Sequence, residues 1–212
     1  MNNHWNKVIY RFWAPFYDYL FNSGPFLKAR KTIFENLEIK PKSKVLFVGV
    51  GTGADLRFII GKDVAVTAID LSPDMLDRAK NKYDSPNVKF MEMDAQDLTF
   101  TPESFDMVIA NLILSVVPDP NQCFQEMIRV TRTEGRIIIF NKFAPSSEDL
   151  PLIKKIIRPV VAMMGTDIGR HFEPIIVPYE NYIQVEEDAS ALFNGMYRKI
   201  MLRKTEKEDV II

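Results

Sequence analysis

The chain contains a single cysteine, Cys123, and only two histidines, His4 and His171. One thiol excludes an internal disulfide and a multi-cysteine metal site, and two histidines exclude a histidine-rich one. We therefore expect no metal centre. A lone cysteine also fits a reducing compartment, where disulfides do not persist.

The chain also lacks an excess of charge of either sign and lacks long apolar runs. The formal net charge is −1 over 212 residues, so no overall basic field points to nucleic acid, although a local basic patch stays open. The first residues lack the uninterrupted apolar run of a signal peptide or a membrane span. These absences predict a cytoplasmic protein, and peripheral contact with the inner membrane surface stays open.

Short apolar runs recur along the chain, with helix-like segments between them. Five runs rich in Val, Ile and Phe read as buried strands: Val45–Gly49, Val64–Ile69, Val88–Met93, Phe105–Ala110 and Arg136–Asn141. This alternation predicts an α/β protein with a parallel sheet covered by helices on both faces. Two last strands, predicted over 182–189 and 196–203, indicate a hairpin-like end.

The sequence predicts where two helices begin. Ser72 stands before Pro73, and Asp119 stands before Pro120. A capping side chain followed by proline is typical of a first helical turn. Gln122 lies at the third helical position after Asp119, which predicts a capping box.

Three glycines, Gly49, Gly51 and Gly53, lie where the first strand ends and where we expect a helix to begin. Their spacing is G-x-G-x-G, whereas the dinucleotide fingerprint is G-x-G-x-x-G. Asp55, near the start of the expected helix, would face and repel a pyrophosphate. The loop therefore predicts a ligand without phosphate and disfavours a nicotinamide-dependent reductase.

Acidic residues follow the next two predicted strands. Asp70 can accept two hydrogen bonds from ribose hydroxyls; capping the next helix is the alternative, but Ser72 already fills that role. Asp94, followed by Ala95, can accept from an adenine amino group. Leu71 and Met75 can flank the ring with apolar surface, and ordinary helix-to-sheet packing is the alternative.

These segments, taken in order, resemble the motifs of class I S-adenosylmethionine-dependent methyltransferases. The similar stretches are "VLFVGVGTG", "AIDLSPDML", "MDAQDL", "FDMVIANLILSVVPDP" and "MIRVTRTEGRIIIFN". The resemblance implies a Rossmann-like, seven-stranded, mostly parallel sheet with an antiparallel last strand, and S-adenosylmethionine as the cofactor. Within the family, "VPDP", "NKF" and "WAPFYDYLF" are similar to bacterial phosphatidylethanolamine N-methyltransferases, and quinone-biosynthesis methyltransferases share much of the pattern.

The resemblance also implies which residues form the site. Asn111 would meet the reactive methyl group in a positioning role; a turn residue that bonds its own backbone is the alternative. Tyr17 would contact the methionine end or the substrate, with lid packing as the alternative. The expected cofactor-binding residues are Gly49, Gly51, Thr52, Gly53, Asp70, Leu71, Met75, Asp94, Ala95 and Asn111.

One position departs from the family pattern. The family usually carries an acid two residues before the first glycine, where it organises the loop and the charged methionine end of the cofactor. Phe47 stands there in this chain. Weaker cofactor binding, replacement of the acid by Asp55 or another group, and a degenerate enzyme are the alternatives.

The division of the chain follows from composition and from the resemblance. Residues 1–40 are expected to form a helical lid, whose aromatic residues with basic neighbours suit an anionic bilayer; packing over the cofactor site is the alternative. Residues 41–204 form the predicted methyltransferase domain, and residues 205–212 a flexible tail. A helix kinked at Pro159 is predicted over 150–164.

The favoured function is methyl transfer to a small or lipid-like acceptor, namely the amine of a phosphatidylethanolamine-type headgroup. A C- or O-methyltransferase of a quinone or other apolar metabolite is the alternative, and so is a cofactor-binding protein with degraded activity. An amine acceptor requires aromatic faces and a cation for the phosphate. A carbon or phenol acceptor requires a general base.

Overall fold

The computed structural model describes residues 24–35, 37–144, 170–193 and 195–206. The predicted lid helix with Tyr17, the helix predicted over 150–164 and the end of the tail lie outside these residues. Their predictions therefore stay predictions.

The described residues form one seven-stranded sheet with the order β3-β2-β1-β4-β5-β7-β6. The strands are β1 Ser43–Val48, β2 Val64–Asp70, β3 Val88–Glu92, β4 Phe105–Asn111, β5 Thr131–Lys142, β6 Ile183–Leu192 and β7 Tyr197–Lys204. The helices are α1 Gly24–Phe34, α2 Pro73–Lys82, α3 Pro120–Val130 and the short α4 Glu173–Ile176. β7 runs antiparallel to both β5 and β6. The predicted fold class is confirmed, including its hairpin-like end.

Strand β1 lies between two hydrophobic cores, and this position explains its almost continuous apolar sequence. Leu46 and Val48 face the α3 core, a cluster that also contains Phe124 of α3. Val45 and Phe47 face the α1 core, on the opposite side of the sheet. The α1 core includes Ala29, Ile33, Leu56, Ile59, Ile109, Ile138 and Phe140. Both faces of β1 are therefore dry, and the polar groups of the site lie beyond its carboxyl end.

The two predicted helix starts are confirmed. The Ser72 hydroxyl accepts a hydrogen bond from the backbone N–H of Met75 at 3.4 Å. Asp119 Oδ1 accepts from the N–H groups of Asn121 and Gln122 at 2.9 and 3.1 Å. Each side chain satisfies donors that the first helical turn leaves open.

The predicted capping box at Asp119 is wrong in its second half. The group that accepts from the Asp119 N–H is Oε1 of Gln96, at 2.7 Å, and Gln96 lies in the loop after β3. The side chain of Gln122 instead donates to the Gln96 carbonyl at 3.3 Å. The reciprocal partner comes from a neighbouring loop, and sequence spacing within the helix cannot reveal it.

The helix expected directly after the glycine loop is absent from the described residues; a 3₁₀ turn at Leu56–Phe58 stands there instead. The connection must return along the whole of β1, about 20 Å at 3.3 Å per residue, because Val64 pairs with Ser43. Residues 56–63 would cover only about 12 Å as an α-helix.

Cys123 is fully buried in the α3 core. Burial raises the pKa of its thiol, with the nearby Asp94 carboxylate as the next cause. We expect no reaction with an aromatic disulfide reagent in the native protein and one equivalent of labelled thiol after unfolding in guanidinium, because the thiolate is the reacting species. Labelling of the native protein at the unfolded rate would contradict this burial.

Within the described residues, no helix is long and apolar enough to cross a membrane.

Candidate cofactor site

The sheet order places the predicted site residues in one row along a single edge. Asp94 follows β3, Asp70 ends β2, the glycine loop follows β1 and Asn111 ends β4. These four strands are neighbours in the order β3-β2-β1-β4, and all run parallel. The row spans about 14 Å, because adjacent strands lie about 4.8 Å apart. Ligands of open α/β sheets bind along this carboxyl edge.

Gly51 forms the open centre of the glycine loop. Its φ of +56° lies in the left-handed region, and an added Cβ would meet no atom within 4 Å. Its N–H donates to Asp70 Oδ2 at 2.8 Å. The backbone is thus anchored on one side and bare on the other, which leaves room for a ligand against the main chain.

Gly53 serves packing rather than ligand access. Its φ is +78°, and an added Cβ would lie 3.1 Å from both Ala79 of α2 and the ring of Tyr83. Gly49 is similarly close to the Ile113 side chain, at 2.7 Å. The outer two glycines therefore let the loop approach its neighbours closely.

Asp70 ties the glycine loop to the start of α2. Its Oδ1 accepts from the Ser72 N–H at 2.9 Å, while Oδ2 accepts from Gly51. Burial raises the pKa of this carboxyl group, and the backbone donors of Ser72, Gly51 and Leu71 offset part of that effect. Each oxygen keeps a further lone pair for a hydroxyl donor.

Asp94 is held in position by Gln96. The backbone and side-chain nitrogens of Gln96 donate to Asp94 Oδ1 at 2.9 and 3.1 Å. Ala95 is buried, and Met75 is 3% exposed, whereas Leu71 is half-buried. Leu71 thus keeps accessible apolar surface, and the burial of Met75 matches the packing alternative.

Asn111 and Asp55 meet at the other end of the row. Asn111 Nδ2 donates to Asp55 Oδ2 at 2.8 Å, so the Asn111 side chain bonds another side chain rather than its own backbone. The same oxygen accepts from Arg30 Nη1 of α1 at 2.5 Å. The Asp55 and Arg30 side chains of this ion pair are 9% and 5% exposed. Both pack on the α1 side of the sheet.

The ion pair corrects one argument from the sequence. Asp55 was expected to face an incoming pyrophosphate and repel it. Its charge is instead buried and compensated by Arg30, so Asp55 offers no bare negative group to a phosphate. The loop's preference for a phosphate-free ligand therefore rests on the glycine spacing.

Sequence reasoning missed two residues of the site. Arg30 lies 25 residues before its partner Asp55, in a segment read only as a lid. Gln96 joins Asp94 to Asp119, the cap of α3. Neither residue has a local signal, because both act through contacts that only folding creates.

Residues 46–139 match a protein-family model described as a methyltransferase domain. The chain is 39% identical over 132 residues to a phosphatidylethanolamine N-methyltransferase of Cereibacter sphaeroides, which covers 60% of this chain and 63% of that protein. It is 32% identical over 129 residues to a demethylmenaquinone methyltransferase of Paenarthrobacter aurescens, covering 59% of this chain and 50% of that protein. The chain therefore spans less than two thirds of either relative.

The fold is shared with solved structures over almost the whole chain. One chain from the complex between the Haloferax volcanii Trm112 methyltransferase activator and a methyltransferase superposes with a TM-score of 0.77 at 14% identity, covering 97% of this chain and 99% of that one. Together with the family match, this likeness confirms the resemblance. The match to a methyltransferase domain covers residues 46–139, and the solved structure shows that the surrounding fold is shared.

The residues present fit the cofactor that this class implies. Gly51 leaves bare backbone at the middle of the row. Asp70 offers a carboxylate where a ribose would lie. Asp55 Oδ1 and Asn111 Oδ1 are buried acceptors with no donor in the described part of the chain. Acceptors of this kind suit the cationic end of S-adenosylmethionine.

Proposed function

We propose that this protein transfers the methyl group of S-adenosylmethionine to the amine of a phosphatidylethanolamine-type headgroup. The observation that carries the proposal is the pairing of the Asp55 carboxylate, which lies beside Asn111, with Arg30. Asp55 is held through Oδ2 by Arg30 and Asn111, and we assign it to holding the cofactor rather than to taking a proton from the acceptor. A neutral amine that attacks a sulfonium methyl needs no strong base in the transition state, whereas a phenol or carbon acceptor does. The relatedness to the Cereibacter sphaeroides enzyme supports the same choice.

The bound cofactor supplies an electrophilic methyl group on a sulfonium. The protein's task is mainly to hold the nucleophile in line behind that methyl carbon. Asp70 orients the ribose, and the Gly51 backbone lets the cofactor approach the sheet edge. Asn111, at the end of β4, would hold the amino-acid end of the cofactor and through it set the position of the methyl group relative to the acceptor.

The proposed acceptor carries its amine on a lipid, so the substrate must be reached at a bilayer surface. The predicted lid over residues 1–40, with its aromatic and basic residues, suits this role. Contact with anionic vesicles that weakens as salt is raised is the expected behaviour.

A direct competition experiment tests the acceptor. The protein is incubated with methyl-labelled S-adenosylmethionine and vesicles that contain both phosphatidylethanolamine and demethylmenaquinone, and both lipids are analysed by mass spectrometry. We expect label on the phospholipid amine and an equal yield of S-adenosylhomocysteine. Vesicles of phosphatidylcholine alone serve as the control, since they offer no free amine.

A labelled quinone beside unlabelled phospholipid would overturn the acceptor and favour the quinone alternative, which the relatedness to the Paenarthrobacter aurescens enzyme supports. Cofactor binding without label on either lipid or release of S-adenosylhomocysteine would instead indicate a protein that binds the cofactor without catalysis.

A further inference from the structure

The buried contact between Asp55 and Asn111 leaves two oxygen atoms without hydrogen-bond donors. Asp55 Oδ1 and Asn111 Oδ1 are both inaccessible to solvent and find no partner among the described residues. Buried polar atoms without partners are rare in folded proteins, and each one is costly. Two of them on side chains that bond each other mark a place where a donor is missing.

The orientation of the Asn111 amide follows from chemistry. An ionised carboxylate can only accept, so the atom of Asn111 that lies 2.8 Å from Asp55 Oδ2 must be the nitrogen. The amide oxygen is then necessarily the free acceptor. Both open positions are therefore acceptors, and only a group with several N–H or O–H donors can satisfy them together.

The charges of Asp55 and of its neighbour Arg30 favour a cationic donor. Arg30 neutralises Asp55 through a single oxygen, Oδ2, which also receives Asn111. Oδ1 of the same carboxylate retains negative character and receives no hydrogen bond from the described residues. An ammonium group carries three donors and a positive charge, which suits a carboxylate oxygen and an amide oxygen that both lack donors.

The position of Asp55 and Asn111 in the row of site residues indicates which ammonium group they would bind. Asp70 at β2 and the bare Gly51 backbone at β1 account for the sugar. Asn111 lies one strand further, at β4. The base and the amino-acid chain are attached on opposite sides of the ribose, so with the adenine beside Asp94 after β3 the amino-acid end would extend toward β4. Phe47, where the family's acid would stand, is 2% exposed in the α1 core and presents no polar group.

We infer that Asp55 and Asn111 form the subsite for the α-ammonium group of the cofactor, with Arg30 as a positioning residue that holds the Asp55 side chain in place through their 2.5 Å ion pair. The acid of this subsite would then stand in the loop after β1 rather than at the end of that strand. This inference rests on the proposed use of S-adenosylmethionine but not on the identity of the methyl acceptor.

Paired ligands test the subsite without any acceptor. S-adenosylhomocysteine contains the ammonium group, whereas 5′-methylthioadenosine keeps the nucleoside and the thioether and lacks the amino-acid end. We expect Asp55→Asn to weaken binding of S-adenosylhomocysteine about tenfold or more in calorimetry, because a charge-assisted hydrogen bond is lost. Its affinity for 5′-methylthioadenosine should stay within about twofold of wild type, since this ligand makes no such bond.

Asp106→Asn is the matched control. Asp106 also pairs with an arginine, Arg132, at 2.5 Å, but it lies near the start of β4, at the opposite edge of the sheet. This variant should bind both ligands as wild type does. Asn111→Ala provides a second variant if Asp55→Asn does not fold, and it should show the same selective loss.

Equal weakening of both ligands, or of neither, would overturn the subsite and leave Asp55 as a brace between α1 and the loop. Failure of the wild-type protein to bind either ligand would instead contradict the cofactor assignment, and with it the proposed function.

Discussion

Replacing Phe47 by aspartate is expected to lower the free energy of unfolding by about 4 kcal/mol or more, although this change introduces the acid that the resemblance implies at that position. Phe47 is 2% exposed and packs within the α1 core. Loss of a buried phenyl ring costs about 3–5 kcal/mol, and a carboxylate without a partner adds its own desolvation. Chemical denaturation monitored by circular dichroism measures the change.

Phe47→Leu separates the two causes of this loss. Leucine keeps the side chain apolar and most of its volume, so the expected cost is about 1–1.5 kcal/mol. An aspartate variant as stable as the leucine variant would show that position 47 is hydrated. Tighter cofactor binding by the aspartate variant would show that the acid still belongs at the end of β1, and would argue against Asp55 as its replacement.

Replacing Asp70 by alanine is expected to weaken S-adenosylhomocysteine binding by about 1–3 kcal/mol, roughly 5- to 150-fold. Alanine removes the carboxylate and with it the two hydrogen bonds that we propose it accepts from the ribose. The substitution would also release the N–H of Gly51 and of Ser72, which the carboxylate holds at 2.8 and 2.9 Å. Isothermal titration calorimetry gives the affinity, and a thermal melt of the variant reports whether the loop still folds.

Asp74→Ala is the control for this prediction, because Asp74 is an exposed acid in the first turn of α2, four residues after Asp70. Its affinity should match that of wild type. An unchanged affinity in Asp70→Ala would remove Asp70 from the cofactor site.

The raised pKa of Asp70 gives the same site a pH signature. Hydroxyl donors need the ionised carboxylate, so cofactor affinity should fall as the pH falls through this raised pKa. The contribution of Asp70 to the stability of the ligand-free protein has the opposite pH dependence, because it falls as the pH rises. The folded state holds the proton of the Asp70 carboxyl group more tightly than the unfolded chain does. The stability that this proton contributes is therefore complete below the ordinary carboxyl pKa and is lost as the pH rises through the raised pKa of the folded state.

Calorimetry across the acidic range checks the sign. Asp70→Asn cannot titrate, so the affinity of this variant should lack the component that wild type shows. An identical pH dependence in both proteins would assign the effect to another group.

Local sequence patterns were sufficient to predict the positions of most strands of the sheet. Each predicted strand exists within a few residues of its predicted bounds, because buried parallel strands have nearly continuous apolar sequences. β5 begins at Thr131 rather than at Arg136. Its first residues are polar, and pairing of Thr131 with Phe105 across an irregular register decides that they belong to the strand.

The sequence by itself determined the alternation of strands and helices, the caps at Ser72 and Asp119, and the acid at the end of β2, because each depends on neighbours within a few residues. Only the tertiary structure decided that Gln96 completes the cap of α3 and that Arg30 neutralises Asp55. It alone also decided that Asp55 and Asn111 are left with two open acceptors. These contacts join residues 23 to 56 positions apart, and such pairs meet only when packing of the α1 core and the order of the strands bring them together.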